Sequence, residues 1–367
     1  MEADNPTLLQ MPEVIMGHIL DKLDLPDILI LRKTCHHLRN LIDDLHPDPK
    51  IARSVIIVDT DFIEFKMNLD KDYDWYPEGK LLRIKYSDVV KPKNGSEACK
   101  VQWFRSDRSR EKFVEGLSFI AHFCRDFEFI FGAQSPFEFS QNPRNPSRIQ
   151  DFILNLEYFP PDHFIWEAIT HQLLPSLEST LKNRPRPLPV KEFYTTVYEK
   201  SHVFQILPCF EPKTLEKISI SHRPYIPERV TWELDEFSEL EQWKIAKVLW
   251  VFDVSLAATV QEFKDFEEIN VKLGEVKVEE VLELKETILN STSNLTTGKI
   301  EFYTCDGEQH FLQTYGYPFT DIDMFGDDRR CWFFKIPNKK FILQISFYRM
   351  YLRFALVENP PKNAMVQ

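Results

Sequence analysis

The chain contains little glycine, no closely paired cysteines and no long apolar run. Only 10 of its 367 residues are glycine, and neither the P-loop pattern G-x-x-x-x-G-K-[ST] nor the dinucleotide-binding pattern G-x-G-x-x-G occurs. The zinc-protease pattern H-E-x-x-H is also absent. The most apolar stretch, residues 248–260, is too short to span a bilayer and contains Asp253. These absences exclude the three enzyme classes that carry those motifs and a membrane-spanning helix.

The cysteines and the first residues indicate a reducing compartment. Six cysteines are widely spread along the chain, and none forms a C-x-x-C pair. The first ten residues have neither the basic start nor the apolar run of a secretory signal. We therefore expect reduced thiols in the core and a protein located inside the cell, in the cytoplasm, the nucleus or both.

Charge and composition are those of a folded, acidic protein. Lys and Arg number 45 against 57 Asp and Glu, a net charge of −12, while 43% of the residues are hydrophobic and 30 are Phe. A negative net charge repels phosphates, which argues against nucleic acid and anionic membranes as general partners. The interior is expected to be rich in aromatic rings.

Residues 8–48 form a short helical module. Pro12 suits the first turn of a helix, and apolar residues recur at helical spacing from Ile15 to Leu23 and again from Ile28 to Leu41. A module of about 40 residues rarely buries enough surface to be stable alone. Its apolar stripe is wider than three short helices can cover, so the module needs a partner, either the rest of the chain or another protein.

Residues 50–126 are predicted to be a β-rich segment plus a helix. Strand patterns fall at 54–58, 62–67, 80–86 and 99–104. A helix is predicted over 109–124, with apolar residues on one face.

Residues 127–358 alternate short strands with helices, the rhythm of an α/β domain. The predicted strands are 127–131, 152–158, 191–198, 215–221, 246–252, 268–273 and 299–305, and a hairpin is expected within 331–357. The predicted helices are 164–182, 201–210, 235–243, 259–265 and 278–290. Two strands share an apolar-x-x-apolar-x-apolar pattern, and right-handed crossovers would make successive strands parallel. The fold class is therefore α/β (α+β overall), with an irregular leucine-rich-repeat-like α/β solenoid; an ordinary α/β sandwich is the alternative.

The sequence offers no convincing metal or catalytic site. Cys35, His36 and His37 are adjacent and cannot converge on one ion from a helix, so we expect a core thiol beside exposed histidines. Residues 320–328 resemble the start of a calcium loop, but Phe325 replaces an oxygen ligand and Trp332 replaces the closing Glu. Residues 105–112 and 182–191 are basic stretches, interpreted as solvated faces, with phosphopeptide or RNA contact as the alternative. We predict no metal, no cofactor and no catalysis.

The helical module resembles an F-box, the three-helix segment that docks ubiquitin-ligase receptors onto a Skp-type adaptor. The residues that carry the resemblance, with their spacing, are Met11-Pro12-Glu13-Val14, Ile19-Leu20, Leu23, Asp27, Leu31-Arg32, Cys35, Leu38-Arg39 and Ile42. Met11 stands where leucine is commoner.

A second resemblance covers about residues 190–310. Segments 204–208, 215–220, 240–247 and 281–286 are similar to the FTH domain, which follows an F-box in a large class of F-box proteins expanded in nematodes. The resemblance implies a substrate receptor of an SCF-type ubiquitin ligase, which binds a Skp-type adaptor and, through it, a cullin. It does not identify the target protein.

Two sets of binding residues follow from this reading. The expected adaptor contacts are Met11, Pro12, Ile15, Ile19, Leu20, Leu23, Ile28 and Leu31. Some of them must also form the core of the module itself. On the solenoid interpretation, strand residues that alternate with the apolar set would line an open sheet face and bind the target protein. These residues are Tyr194, Thr196, Lys217, Ser219, Glu268, Asn270, Glu301 and Tyr303.

Two other functions stay open on the sequence alone. The protein could be an F-box scaffold or regulator that binds the adaptor and a partner without ubiquitylation of a target. It could also be an unrecognised enzyme, which a pocket with a His or Cys beside a carboxylate would favour.

Overall fold

A computed structural model describes residues 11–45, 47–68, 81–89, 98–105, 108–132, 149–157, 163–223, 229–305, 308–322 and 328–367. The chain divides into two compact units. Unit 1 comprises Met1–Tyr194 and Ser201–Thr214, and unit 2 comprises Thr195–Lys200 and Leu215–Gln367.

Unit 1 begins with three short helices, α1 (Glu13–Leu20), α2 (Leu25–Leu31) and α3 (His36–Leu45). Pro12 precedes the first turn of α1, and Pro26 lies in the first turn of α2, where a missing N–H costs nothing. Met16 and Leu20, four residues apart on one face of α1, are buried with side chains of α2 and α3. Leu20, Ile28 and Leu38 of this core belong to the predicted apolar series. Met16 lies outside that series, and Ile15, which lies within it, is exposed.

A mainly antiparallel sheet follows the helices. Its strands are β1 (Arg53–Val58), β2 (Phe62–Asn68), β3 (Leu81–Asp88), β4 (Ala98–Arg105), β5 (Arg108–Glu115) and β6 (Ile149–Leu156). Strands β1 to β5 pair in chain order as a meander, and β6 pairs parallel with β1. Because β6 joins this sheet, the unit continues past residue 126, where the sequence suggested that the β-rich segment ends.

An aromatic core packs one face of this sheet against helix α4 (Phe119–Phe127), and helix α5 (His163–Lys182) packs against α4. A π-helical turn, Glu128–Gly132, extends α4. Phe65, Phe123, Phe127 and Phe131 are fully buried, and the Phe127 and Phe131 ring centroids lie 4.8 Å apart. The abundance of Phe in the sequence therefore does fill a core.

Two secondary-structure predictions are wrong in this region. The predicted helix at 109–124 is instead β5 followed by α4, and the chain turns between them at Gly116, whose φ is +81°. The charged residues of β5 suit an edge strand, which pairs only with β4 among the described strands. The predicted strand at 127–131 is helical, because its apolar residues bury against the aromatic core on one helical face.

The chain passes between the units three times: within β7 (Val190–Val197), at the start of α6 (Lys200–Ile206) and between Thr214 and Leu215. A short 3-10 turn, Leu207–Cys209, follows α6. Phe193 and Phe210 extend the aromatic core of unit 1, with ring centroids 4.9 Å apart.

Unit 2 is built on four parallel strands, β8 (Lys217–His222), β10 (Val248–Phe252), β12 (Glu268–Val276) and β13 (Thr297–Cys305). Each pairs in register with the next in chain order. Short strands β9 (Thr231–Glu233) and β11 (Ser255–Ala257) pair with each other, and β11 also pairs with β12. Helices α7 (Asp235–Ser238), α8 (Glu241–Ile245) and α9 (Val278–Leu289) and a 3-10 turn, Val260–Phe263, lie between the strands.

Antiparallel strands complete unit 2. After helix α10 (Glu308–Tyr315) come β14 (Phe319–Ile322), β15 (Asp328–Lys335), β16 (Ile342–Phe347) and β17 (Tyr351–Val357). They pair in chain order, and β17 pairs with β13. The expected hairpin is thus part of a four-strand meander, and α10 and β14 were not predicted. The α/β class is confirmed; the leucine-rich-repeat-like solenoid stays a prediction.

Candidate functional site

The F-box-like helices keep a group of aliphatic side chains in solvent. Val14 and Ile15 on α1 and Ile30 on α2 are 54%, 47% and 58% exposed. Pro12 is exposed as well. Exposed aliphatic side chains on a module this small make these positions candidates for a docking surface. We call Pro12, Val14, Ile15 and Ile30 the aliphatic surface.

The eight predicted adaptor contacts fall into three groups. Leu20 and Ile28 are buried in the module's own core, so they offer no surface to a partner in this conformation. Pro12 and Ile15 are exposed. Four others are partly buried and pack against the same core: Met11, Ile19, Leu23 and Leu31.

Sequence reasoning missed Val14 and Ile30. Both lie off the apolar stripe that defines the buried face, so helical periodicity assigns them no role. The sequence feature that could have identified them is an aliphatic residue on the helix face that is expected to be polar.

Arg32 links α2 to α3 within the F-box-like helices and also contacts the rest of unit 1. Its guanidinium forms two hydrogen bonds to the Asp43 carboxylate, at 2.5 and 3.0 Å. The same guanidinium lies 4.2 Å from the ring centroid of Phe129, in the π-helical turn after α4. Phe129 also packs against the F-box core. These contacts leave the aliphatic surface uncovered within unit 1.

A second candidate site is the solvent-facing side of the unit 2 sheet. One row of directly paired residues crosses β8, β10, β12, β13 and β17. It consists of Ser219, Trp250, Asn270, Lys299 and Arg353. The rows between are buried and apolar, because successive side chains of a strand point to opposite faces. The polar rows therefore line one open face, the sheet face.

Aromatic rings and cations alternate on the sheet face. Lys217 Nζ lies 3.1 Å from the ring centroid of Trp250, and Trp250 Nε1 donates a 2.9 Å hydrogen bond to Glu268 Oε1. Lys299 Nζ lies 4.7 Å from the Tyr351 centroid and 2.7 Å from Glu301 Oε1.

Tyr303 lies between two further cations on this face. The side chains of Arg229 and Lys272 lie 4.3 and 4.4 Å from its ring centroid. The nearby Ser255 hydroxyl, together with the charge of Lys272 and Arg229, lowers the pKa of the Tyr303 phenol from its usual 10. This region of the face is electropositive.

A groove of about 570 Å³ runs over the sheet face. Ile322 and Arg329, from β14 and β15, form its wall with Tyr348, while Trp250, Lys299 and Arg353 lie among its other lining residues. Arg329 donates a 2.7 Å hydrogen bond to Asp321. Tyr348 and Tyr351 stack with ring centroids 4.0 Å apart.

The structure brings most of the predicted target contacts onto the sheet face. Lys217, Glu268, Asn270, Glu301 and Tyr303 are partly exposed there, whereas Ser219 is only 8% exposed. The other two predicted residues, on β7, are Tyr194 in unit 1 and Thr196 in unit 2. Burial and a hydrogen bond to Glu192 raise the pKa of Tyr194.

Sequence reasoning missed the residues that complete the groove. Trp250 lies within an apolar run, which suggests burial rather than exposure. Tyr351 and Arg353 reach the face only because β17 pairs antiparallel with β13. Local sequence carries no signal for that pairing.

A larger groove in unit 1, of about 750 Å³, holds a histidine beside a carboxylate. His122 Nδ1 lies 3.8 Å from Asp126 Oδ2, which is too long for a hydrogen bond. That carboxylate oxygen instead accepts a 2.8 Å hydrogen bond from Tyr86. Burial and the charge of Asp126 raise the pKa of Tyr86 well above 10, so the phenol stays neutral and donates to Asp126 in a partly buried contact.

The described residues contain no group of three His, Cys, Asp or Glu placed to hold a metal ion. All six cysteines lie within those residues and are free thiols. Cys35 is a correction, because it is exposed rather than in the core. The residue precedes α3, and its Sγ accepts a 3.5 Å hydrogen bond from Leu38 N. The calcium-loop pattern at 320–328 lies partly outside the described residues.

No helix in the described part of the chain is both long enough and apolar enough to cross a membrane.

Comparison with known families identifies two domains. The F-box domain family matches residues 8–50, and the FTH domain family matches residues 171–315. A search of the curated proteins found no match. The link to the class expanded in nematodes stays a prediction.

The matched ranges coincide with the geometry described above. Residues 8–50 include the whole aliphatic surface, and residues 171–315 include β8, β10, β12 and β13 of the sheet face. F-box domains generally bind Skp-type adaptors in SCF-type ubiquitin ligases, and proteins of both families are typically non-catalytic. The chain therefore has the F-box plus FTH architecture, and an F-box domain implies a role in SCF-type ubiquitin ligases.

Proposed function

We propose that this protein is a non-catalytic substrate receptor of an SCF-type ubiquitin ligase. The aliphatic surface would dock on a Skp-type adaptor and, through it, on a cullin, while the sheet face of unit 2 would bind a target protein. The transfer of ubiquitin belongs to other subunits, and the receptor contributes proximity. The cytoplasm or the nucleus is the proposed location.

The observation that supports the adaptor half is the exposure of Val14, Ile15 and Ile30. Full burial of a large aliphatic side chain contributes about 1.5–3 kcal/mol. Covering the half of each side chain that is still exposed would contribute roughly 1 kcal/mol per residue, or about 3 kcal/mol for the three. That energy corresponds to a change of about 150-fold in Kd.

The test is co-purification of the full chain with a panel of Skp-type adaptors. The test variant is the double change Ile15→Asp and Ile30→Asp, because a charge on a covered apolar surface has no partner. Ile245→Asp is the matched control, since Ile245 is also a partly exposed isoleucine (44%) but lies in unit 2. Neither variant alters a buried side chain, so circular dichroism should match that of the wild type.

We expect the wild type and Ile245→Asp to bind one adaptor stoichiometrically and the double variant to lose at least about 100-fold in affinity. A folded wild type that binds none of the adaptors, or a double variant that binds as well as the control, would overturn the proposal.

The scaffold alternative predicts a different fate for the bound partner. A receptor shortens the partner's half-life in a way that proteasome inhibition reverses, whereas a scaffold leaves the half-life unchanged. The enzyme alternative has one point of support, the pairing of His122 with Asp126. The 3.8 Å separation and the Tyr86 hydrogen bond to Asp126 favour a structural role for that pair.

A further inference from the structure

The charges on the groove of unit 2 oppose the charge of the whole chain. Four cations line the groove or contact a side chain that lines it: Lys217, Lys299, Arg329 and Arg353. Three carboxylates accompany them: Glu268, Glu301 and Asp321. The described residues of this region therefore carry a net positive charge, although the whole chain has a net charge of −12.

The three carboxylates are already engaged within the protein. Glu268 accepts a hydrogen bond from Trp250, Glu301 pairs with Lys299, and Asp321 pairs with Arg329. They neutralise only part of the positive charge. Arg353, by contrast, is exposed on the groove and forms no ion pair with any described residue.

Three aromatic rings of the sheet face each contact one or two of the protein's own cations. Lys217 lies over Trp250, Arg229 and Lys272 lie over Tyr303, and Lys299 lies over Tyr351. A platform for single-stranded nucleic acid needs open ring faces on which bases stack. Here the rings position ammonium and guanidinium groups instead, which favours a ligand that brings carboxylates without stacked bases.

We propose that the groove binds an extended, acidic segment of the target protein. This inference rests on the proposed receptor function and specifies its substrate class. Carboxylates of the segment would pair with Arg353 and Lys299, and an apolar side chain between them would lie against Ile322 and the stacked pair Tyr348–Tyr351. Arg353 offers a planar guanidinium that matches a carboxylate with two parallel hydrogen bonds.

The size of the groove fits one short stretch of chain. A volume of about 570 Å³ lies within the range that single ligand sites in proteins occupy. Charge complementarity of this kind raises the association rate and the specificity, and both fall as salt rises. Binding should therefore weaken markedly between low and high ionic strength.

The test measures fluorescence anisotropy of labelled dodecapeptides with the full chain. Three probes share a central Phe and carry six Glu, six Gln or six Lys residues. The test variant is Lys299→Glu with Arg353→Glu. The matched control is Lys264→Glu with Lys340→Glu, because both doubles change the net charge from −12 to −16, and Lys340, like Lys299, pairs with a glutamate.

We expect the Glu peptide to bind the wild type and the control double within twofold of each other, and the test double at least tenfold more weakly. The Gln and Lys peptides should not bind. Failure of the Glu peptide to bind, or equal losses in both doubles, would overturn the inference. A decauridylate RNA that binds the wild type and is lost in the test double would also overturn it, because the groove would then be a nucleic-acid site.

Adaptor co-purification of the same variants separates this inference from the proposed function. The test double should retain the adaptor. Adaptor binding without peptide binding refutes the acidic-segment inference alone, whereas peptide binding without any adaptor refutes the receptor function alone.

Discussion

A methyl group added at Gly298 tests the packing of the parallel strands that support the sheet face. Gly298 lies on β13 directly opposite Ile269 of β12. A Cβ atom at this position would lie 2.8 Å from Ile269 Cγ1 and 3.3 Å from its Cδ1. Carbon atoms in good contact are about 3.5–4.0 Å apart, so the strands or the isoleucine must shift.

The magnitude follows from two opposing effects. Overpacking a well-filled core destabilises a protein by about 1–3 kcal/mol. Replacing glycine by alanine restricts the unfolded chain and stabilises by about 0.4–1 kcal/mol. We therefore expect Gly298→Ala to lower the free energy of unfolding by about 0.5–2.5 kcal/mol, and the midpoint of thermal unfolding by several degrees.

Gly274→Ala is the matched control, because a Cβ at Gly274 on β12 meets no atom within 4 Å. That variant should be neutral or slightly stabilised. Circular dichroism during thermal and guanidinium unfolding measures both changes. Equal midpoints for the two alanine variants would refute the reasoning.

A double-mutant cycle with Ile269→Ala sharpens the test. Ile269→Ala removes both atoms that clash with the new methyl group, at a cost of about 2–5 kcal/mol by itself. In that background Gly298→Ala should cost much less than it does alone, since contacting residues are not additive. Strict additivity would show that the Ile269 contact is not the cause.

Three further predictions concern other parts of the chain. At pH 8 the exposed Cys35 should react with iodoacetamide in the folded protein. Cys99 should react only after unfolding, because burial raises its pKa to about 11. Mass spectrometry of the labelled peptides measures both reactions. Phe127→Ala, in the aromatic core, should destabilise unit 1 by about 3–5 kcal/mol, while Phe113→Ala, which removes a 57% exposed ring, should change stability by under about 0.5 kcal/mol; chemical denaturation compares them. Thr259→Ala removes a capping box and should cost about 1 kcal/mol in the same assay.

The candidate sites were only partly readable from the sequence. The F-box motif identified the helices that carry the aliphatic surface, yet Leu20 and Ile28 proved to be core residues and Val14 was missed. Helical periodicity shows which residues share a face. It does not show which of two apolar faces is covered by the same module and which remains open, because that depends on the crossing of α1, α2 and α3.

The same distinction applies to the sheet face. Alternation along β8, β12 and β13 was enough to predict which residues point away from the core, since side chains of a strand alternate strictly. The groove also needs Arg353, which pairs across from Lys299 although about fifty residues separate them in the chain. Pairing between distant strands is decided by the packing of the whole unit and leaves no local pattern.

By itself, the sequence determined the F-box helices and the strands and helices with strong periodicity. It also showed that the motifs of three enzyme classes are absent. Those features depend on neighbouring residues, whose spacing is written directly in the chain. Only the tertiary structure decided that 109–131 is a strand followed by a helix and which aliphatic residues face solvent. It also decided that β17 closes the cationic groove against β13. Each of these outcomes is a competition between local preference and long-range burial, and long-range burial contributes the larger free energy.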